Sequence, residues 1–390
     1  MKTGVGMSRA KDAQAAVQEA YRQSLQRLGA LNADFSIIVY TYDYVLEPDV
    51  LSAVLKRVFK NTPHIGCSTW SAWNEKDMAE GENGIFVLSI KDIDVTNKIF
   101  KVHSLKEKGA LWAGETIRFL DSIEGSRESK SSLFLIGDGI HFSAAEGFRR
   151  LREEFPKLQV FGFGTSYGIP QCSLVHDGEI YSNSLIGVYL ENIQPWVSLL
   201  QNIWPEGEAI DINRMSENLL IEIDEKPAFY RLCEHLMAMD DLPMMSPDEF
   251  RKHMGNLYIV ETPASGKASS QMLGQAYRVV SLLGSEMTTG MVAVGEALDF
   301  SCQHHLGQKK VKYIEDLAEE NLMKLKECIP EPQIIWMLCS TAHFRDKERT
   351  KNDLQIVQKH FPGTPIFGVG SHGEYYDGLN HQASLIIAFE

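Results

Sequence analysis

The sequence predicts an α/β protein, with mixed and largely buried sheets covered by helices in two tandem domains. Three observations carry this reading. Short apolar runs alternate with stretches in which apolar residues recur at i, i+3, i+4 and i+7, the mark of one helix face. The runs are apolar at nearly every position, as in strands buried on both sides. A strand–helix–strand–glycine–strand pattern also occurs three times.

In the first copy the strand Phe35–Tyr40 precedes a helical pattern of Val50, Leu51, Val54, Leu55 and Val58. Pro63 follows, then a second strand ending Ile65-Gly66-Cys67-Ser68-Thr69, and a third strand over Gly84–Ile90. The second copy has the strand Leu133–Ile136 and a helix carrying Ala144, Phe148, Leu151 and Phe155, opened by the capping box Ser143-Ala-Ala-Glu146. Pro156 stops it, and Val160-Phe161-Gly162-Phe163-Gly164-Thr165-Ser166 and the strand Ser184–Leu190 follow. The third copy runs from Ile334–Leu338 through Leu354, Val357 and Phe361. It continues past Pro362 and Pro365 to Ile366-Phe367-Gly368-Val369-Gly370-Ser371-His372 and the strand Ser384–Phe389. Aligning Gly66, Gly162 and Gly368 puts Thr69, Thr165 and Ser371 in one column.

Pro195, Pro205 and Gly207 punctuate the chain after Glu191. They suggest an N-terminal helix or extension over 1–34, a first domain over 35–195 and a second over 196–390. Within the second, 219–228 alternates like a strand, 231–256 reads as helix with a Met-rich stretch near Pro243, and 257–260 reads as strand. A flexible loop covers 263–270, a strand with a bend at Gly295 covers 290–300, and 311–327 is a charged amphipathic helix.

Composition narrows the function classes. A chain of 390 residues with 44% hydrophobic and 23% charged residues buries a large core without disulfide staples. A formal charge of −14 disfavours phosphate backbones and anionic membranes unless a basic patch is present. The runs Lys309–Lys312 and Arg345–Lys351 are interleaved with acids and read as solvated helix faces. The N-terminus has no apolar core of a signal peptide, and no run approaches a membrane span. The six cysteines are scattered, as reduced cytosolic thiols are. The expectation is a cytoplasmic protein with no nucleic-acid partner and no membrane insertion.

Glycine after a strand lets a ligand approach the backbone, and a following Thr or Ser adds a hydroxyl. In open α/β sheets ligands gather at the carboxyl ends of strands. Against this stands the simpler reading that these glycines only make tight bends. Gly162–Gly168 misses the dinucleotide pattern by one residue and opens no clear helix, and Ser265-Gly266-Lys267-Ala268 fails as a phosphate loop. Histidines at His304, His305, His343, His372 and His381 lack tight metal-ligand spacing, so no metal and no cofactor is expected. Cys67 follows a glycine turn, but no base is designated for it. Trp70 and Trp73, in the loop after Cys67, are placed either to close over a ligand or to pack beneath a helix.

These residues resemble the FIST-domain family, in a stand-alone form with FIST N and FIST C regions over roughly residues 35–390. The first resemblance lies in Ile65-Gly-Cys-Ser-Thr69, Ile136-Gly-Asp-Gly139, Phe161-Gly-Phe-Gly-Thr-Ser166, His176-Asp-Gly-Glu179 and Asp224-Glu-Lys-Pro-Ala228. The second lies in Leu338-Cys-Ser340, Phe367-Gly-Val-Gly-Ser-His-Gly-Glu374 and Leu379-Asn-His381. The resemblance implies a sensory module of bacterial or archaeal signal transduction that binds small molecules such as amino acids, often beside kinase, cyclase or chemotaxis output domains. It carries no catalytic residues. Where the family has Ala-Gly-Glu after its Gly-Cys-Thr-Thr, this chain has Trp70-Ser-Ala-Trp73, which removes a carboxylate and implies an altered ligand. With no output domain expected, the signal would pass to a separate protein.

The site expected from these readings comprises Gly66, Cys67, Ser68, Thr69, Trp70, Gly162, Gly164, Thr165, Ser166, Gly368, Gly370, Ser371, His372 and Glu374. Glu374 would pair with a ligand ammonium, and Thr69, Thr165 and Ser371 would hydrogen-bond its polar head group. One alternative is a hydrolase or transferase using Cys67 or Cys339 with a histidine. A second is a protein-binding scaffold.

Overall fold

The computed structural model describes residues 1–127, 129–139, 145–165, 172–201, 203–240, 249–250, 257–263, 272–274, 277–286, 288–295, 297–309, 314–340, 347–376, 379–380 and 383–390. The fold is α/β. Its first unit runs β1 (Lys2–Ser8), α1 (Ala13–Leu28), β2 (Phe35–Thr41), α2 (Pro48–Phe59), β3 (His64–Thr69), β4 (Ser71–Asn74), β5 (Met78–Glu80) and β6 (Gly84–Lys91). The second runs β7 (Ile99–His103), α3 (Leu105–Lys108), α4 (Trp112–Asp121), β8 (Ser132–Gly137), α5 (Ala145–Glu154), β9 (Gln159–Thr165), β10 (Leu174–His176), β11 (Glu179–Tyr181) and β12 (Ser184–Leu190).

The third unit begins with β13 (Trp196–Gln201) and is then interrupted. The intervening chain supplies β14 (Ile203–Ile210), β15 (Ile212–Ser216), β16 (Leu219–Ile223), β17 (Lys226–Pro227), α6 (Ala228–Asp240), β18 (Leu257–Pro263), β19 (Met272–Gly274), β20 (Arg278–Glu286), β21 (Met291–Val294) and β22 (Cys302–Lys309). The unit resumes with α7 (Ile314–Cys328), β23 (Ile334–Ser340), α8 (Lys347–His360), β24 (Ile366–Tyr376), β25 (Leu379–Asn380) and β26 (Ala383–Phe389).

The three units share one register. In each, the last strand pairs antiparallel with both the first strand and the next central strand, which in turn pairs parallel with the strand beyond its helix. The rows Gly6–Val87–Ile38–Gly66, Phe100–Gly187–Leu135–Gly162 and Ser198–Ile386–Met337–Gly368 coincide position by position. The parallel steps β2–β3, β8–β9 and β23–β24 are crossovers through α2, α5 and α8, the connection that parallel neighbours need.

Each unit also lends its hairpin to another. β4, from the first unit, pairs with β24 and sets Trp73 opposite Gly368. The second half of β24 pairs with β9 and sets Tyr375 opposite Gly162. β10, from the second unit, pairs with β3 and sets Val175 opposite Gly66. The exchange closes a ring through all three units.

A six-stranded sheet (β1-β6-β2-β3-β10-β11) and a twelve-stranded sheet built on β19-β13-β26-β23-β24-β9-β8-β12-β7 result. Their facing sides share one core, with Phe35, Ile37, Val39 and Leu88 from the first and Phe134, Phe161, Trp336 and Leu385 from the second. Helices cover the outer sides. Val17 and Leu55 of α1 and α2 pack on Ile38 and Val87, Trp112 and Phe148 of α4 and α5 on Leu135, and Leu322 and Val357 of α7 and α8 on Met337. Burial on both faces explains why β2, β8, β9, β12 and β26 are buried throughout. A third sheet of eight strands, ordered β14-β22-β18-β20-β21-β16-β15 with β17 beside β16, packs against α6.

Some sequence expectations change. The helix expected over 231–256 begins earlier and α6 ends at Asp240; residues 241–248 and 251–256 lie outside the described ones, as do Ser143 of the capping box, Ser265–Ala268, His343 and His381. The strand expected over 290–300 stops at Val294, where Gly295 N donates to Ser281 O at 2.8 Å. The Trp70–Trp73 loop is a strand: Trp70 is the single residue between β3 and β4.

Candidate functional site

The three glycine segments lie inside the second strand of each parallel pair. Gly66 and Gly368 have ordinary strand dihedrals; a side chain there is excluded by close approach, to Ile38 O in one case and the Trp73 ring in the other. Gly162 adds a φ of 154°. These glycines therefore set the distance between strands, and the polar residues follow them.

Three residues past each glycine the strand ends meet. Thr69 Oγ1 donates to Gly370 O at 2.5 Å and also reaches Ser71 O at 3.1 Å. Thr165 stands opposite Ser371 in the β9–β24 ladder, and Gly139 N donates to Thr165 Oγ1 at 3.3 Å. The ladder slips between Ser371 and Gly373, a bulge that turns Glu374 to the same side as Ser371. Ser371 Oγ donates to Glu374 Oε1 at 2.5 Å. Thr69, Thr165, Ser371 and Glu374 are all fully buried.

Further groups border this junction. His372 packs its Cβ 2.7 Å from where a side chain at Gly139 would begin. Burial lowers the His372 pKa, and the charge of Asp138 acts against that. Asp138 Oδ2 accepts from Asn183 N at 2.9 Å, which ties it to the start of β12. Burial raises the Cys172 thiol pKa, the Asp138 charge adds to this, and a hydrogen bond with Thr165 opposes it. In the sequence Asp138 stands out only as part of Ile136-Gly-Asp-Gly139, a Gly-Asp-Gly that closes the first parallel strand, and Cys172 has no pattern that marks it.

Other expected site residues face elsewhere. Cys67 is in the central core, where burial pushes its thiol far above the usual range. Ser68 points outward and exchanges hydrogen bonds with Ser173: Ser68 N to Ser173 O at 2.8 Å, and Ser173 N to Ser68 Oγ at 3.0 Å. Trp70 packs beside the helices of the first unit, against Gly81. Trp73 is buried with α7 and α8 on the outer side of the third unit. Gly164 lies beside Gly139 and the Tyr375 hydroxyl. Ser166 lies outside the described residues. Cys339 Sγ donates to Ser384 Oγ at 3.2 Å in the outer layer of the third unit.

Three strand–helix–strand units joined at their carboxyl ends around a buried carboxylate define an α/β protein with one shared polar junction. The chain belongs to the FIST family: the FIST N domain model matches residues 34–226, about half its length. FIST domains are sensory domains of signal transduction that bind small ligands. Two uncharacterized proteins of Mycobacterium tuberculosis, from strains CDC 1551 / Oshkosh and ATCC 25618 / H37Rv, are each 20% identical over 395 residues, covering 98% of this chain and 97% of the relative. No helix among the described residues is long and apolar enough to cross a membrane. Among the same residues no group of three or more His, Cys, Asp or Glu is placed to hold a metal ion.

Proposed function

We propose that this protein senses a small polar metabolite of the amino-acid class, bound where the three strand ends meet. The observation that supports this is Glu374. Counted from the repeat glycines through the hairpin register, its counterparts are Ala72 and Leu174, both in the central core. The fold is built twice with an apolar residue at this point, so it does not require a carboxylate there. Burying one costs several kcal/mol unless other charges and hydrogen bonds compensate. Ser371 Oγ already contributes part of that compensation; a ligand ammonium adds a full counter-charge, and Thr69, Thr165 and Ser371 offer hydroxyls to its polar head group.

The position suits such a role, because α/β sheets collect ligands at the carboxyl ends of parallel strands. It also suits signalling. Every hairpin spans two units, so a ligand at the junction bears on all three. The response passes to a separate signalling protein such as a kinase, a cyclase or a chemotaxis component, in the cytoplasm. A hydrolase built on Cys67 is disfavoured by that thiol's burial and raised pKa, which suppress the thiolate.

Isothermal titration against a panel of amino acids and related metabolites tests the proposal. Glu374→Gln is expected to weaken binding several-fold to about a hundredfold. No ligand tighter than about millimolar, or a Glu374→Gln protein that binds like the wild type, contradicts it.

A further inference from the structure

The C-terminal ends of α1 and α2 bound a groove on the outer layer of the first unit, with a volume of about 520 Å³. Tyr21, Leu25 and Val58 give it an apolar floor, and Leu31, in the turn after α1, stands at its edge. Leu31 is 99% exposed. A single exposed leucine is ordinary, but this one continues an apolar groove between two helices.

The charge of the rim sets it apart. Among the described residues, Arg22, Arg57 and Lys60 line the groove with no carboxylate beside them, in a chain whose formal charge is −14. Several other cations of the same unit are paired, Arg9 with Asp77 and Glu82, Arg27 with Glu75, Lys56 with Glu179 and Lys91 with Asp34, while among the described residues Lys11 and Lys76 stand singly away from the groove. Among the described residues Arg22, Arg57 and Lys60 form no ion pair, and Arg57 donates only to Gln14 Oε1 at 2.8 Å. The C-terminal dipole of α2 favours Arg57 and Lys60 locally. It gives no role to Arg22, midway along α1.

We infer that this groove docks an acidic amphipathic helix of a partner protein. A third helix fits between two by packing its ridge of large apolar residues on Tyr21, Leu25, Val58 and Leu31. Carboxylates on its flanks meet the three cations, which raises the association rate and rejects basic segments. The groove lies on the helical layer and shares no residue with the junction at Glu374, so the two proposals stand or fall separately.

The test uses fluorescence anisotropy on the full chain with a stapled peptide of about fifteen residues, leucines at i, i+3, i+4 and i+7 and glutamates elsewhere, and its lysine counterpart. The glutamate peptide is expected to bind, more weakly at high salt, and the lysine peptide not to. Arg22→Glu with Arg57→Glu should cut affinity at least tenfold, and Leu31→Asp several-fold; these side chains are exposed, so melting should fall by a few degrees at most, from the loss of Arg57 at the α2 C-terminus. Failure of the glutamate peptide to bind overturns the inference. So does equal binding by the variants, preference for the lysine peptide, or a wild-type dimer in light scattering that Leu31→Asp dissolves, which would make a second copy the occupant.

Discussion

Trp73 and Gly368 come from different units and occupy the same rung: the Trp73 indole lies 2.1 Å from the point where a side chain on residue 368 would begin. The ring is fully buried among α7 and α8 residues and has no free end to move aside. Gly368→Ala must therefore displace either the hairpin β4–β5 or the β23–β24 ladder. Destabilisation of about 1–3 kcal/mol or more is expected in chemical denaturation. Gly284→Ala is the control. Nothing lies within 4 Å of its added methyl group, and a change within about 0.5 kcal/mol is expected. Equal stabilities for the two variants would contradict the exchange of hairpins.

The same contact read from the other side gives a second expectation. Trp73→Ala leaves a cavity between β24 and the helices, with a cost of about 3–5 kcal/mol. Because β4 leads directly from Thr69, hydrogen exchange should rise at Thr69–Asn74 and at Phe367–Val369 together. Exchange rising in β4 alone would mean that the two strands are not coupled.

Thiol chemistry separates the sensor from the Cys-dependent enzyme. Cys67 is fully buried with a raised pKa, Cys302 is partly exposed with a thiol pushed up to about 11, and Cys328 is partly exposed. Mild alkylation followed by peptide mapping should label Cys328 first, Cys302 more slowly, and Cys67 only after unfolding. Rapid labelling of Cys67 in the folded protein would restore the enzyme reading.

The third sheet carries a buried polar row. Arg278, Glu261 and His304 face one another across β20, β18 and β22, and Asp299 N donates to Glu261 Oε1 at 2.6 Å. Burial pushes the Glu261 carboxyl pKa up, but Arg278, His304 and the Asp299 amide together pull it below the ordinary carboxylate range. A lowered folded-state pKa means stability that is present above the unfolded value of about 4.3 and lost as pH falls through the folded one. Wild-type protein should therefore lose thermal stability on acidification below about pH 4 by more than Glu261→Gln does. Glu261→Gln should itself cost stability, up to about 3–5 kcal/mol, at neutral pH because Arg278 loses its counter-charge. Parallel pH profiles for the two proteins would contradict this assignment.

Much of this architecture is legible in the sequence, and the rest is hidden for physical reasons. The two parallel strands and last strand of each unit announce themselves by continuous apolar runs, and α2, α5 and α8 by periodicity, because two-sided burial and one-sided burial leave different patterns. The first strand of each unit does not. β1 reads Lys-Thr-Gly-Val-Gly-Met-Ser like a tail, yet its glycines are required because α1 lies against them: a side chain on Gly4 would begin 2.2 Å from Ser24 O. β7 is short, with exposed Lys101 and His103 interrupting it. The hairpin exchange is invisible because its pairs are remote in sequence, and because Trp73 and Tyr375 follow their glycines by seven residues while Val175 follows by thirteen. The column of Thr69, Thr165 and Ser371 could be read from spacing alone. That Trp70, Ser68 and Cys67 point away from it could not, since alternation along a strand fixes faces only once the sheet is known.

The central claim is that Glu374 serves ligand binding and not folding. Glu374→Leu, which gives the third unit the residue of the second, tests it most directly when denaturant unfolding and ligand titration are measured on the same sample. The account predicts a variant whose stability stays within about 1 kcal/mol of wild type, the lost Ser371 hydrogen bond being offset by the relieved burial of charge, and that gives no heat with the ligand wild type binds. A variant that unfolds at clearly lower denaturant, or that still binds, would contradict it.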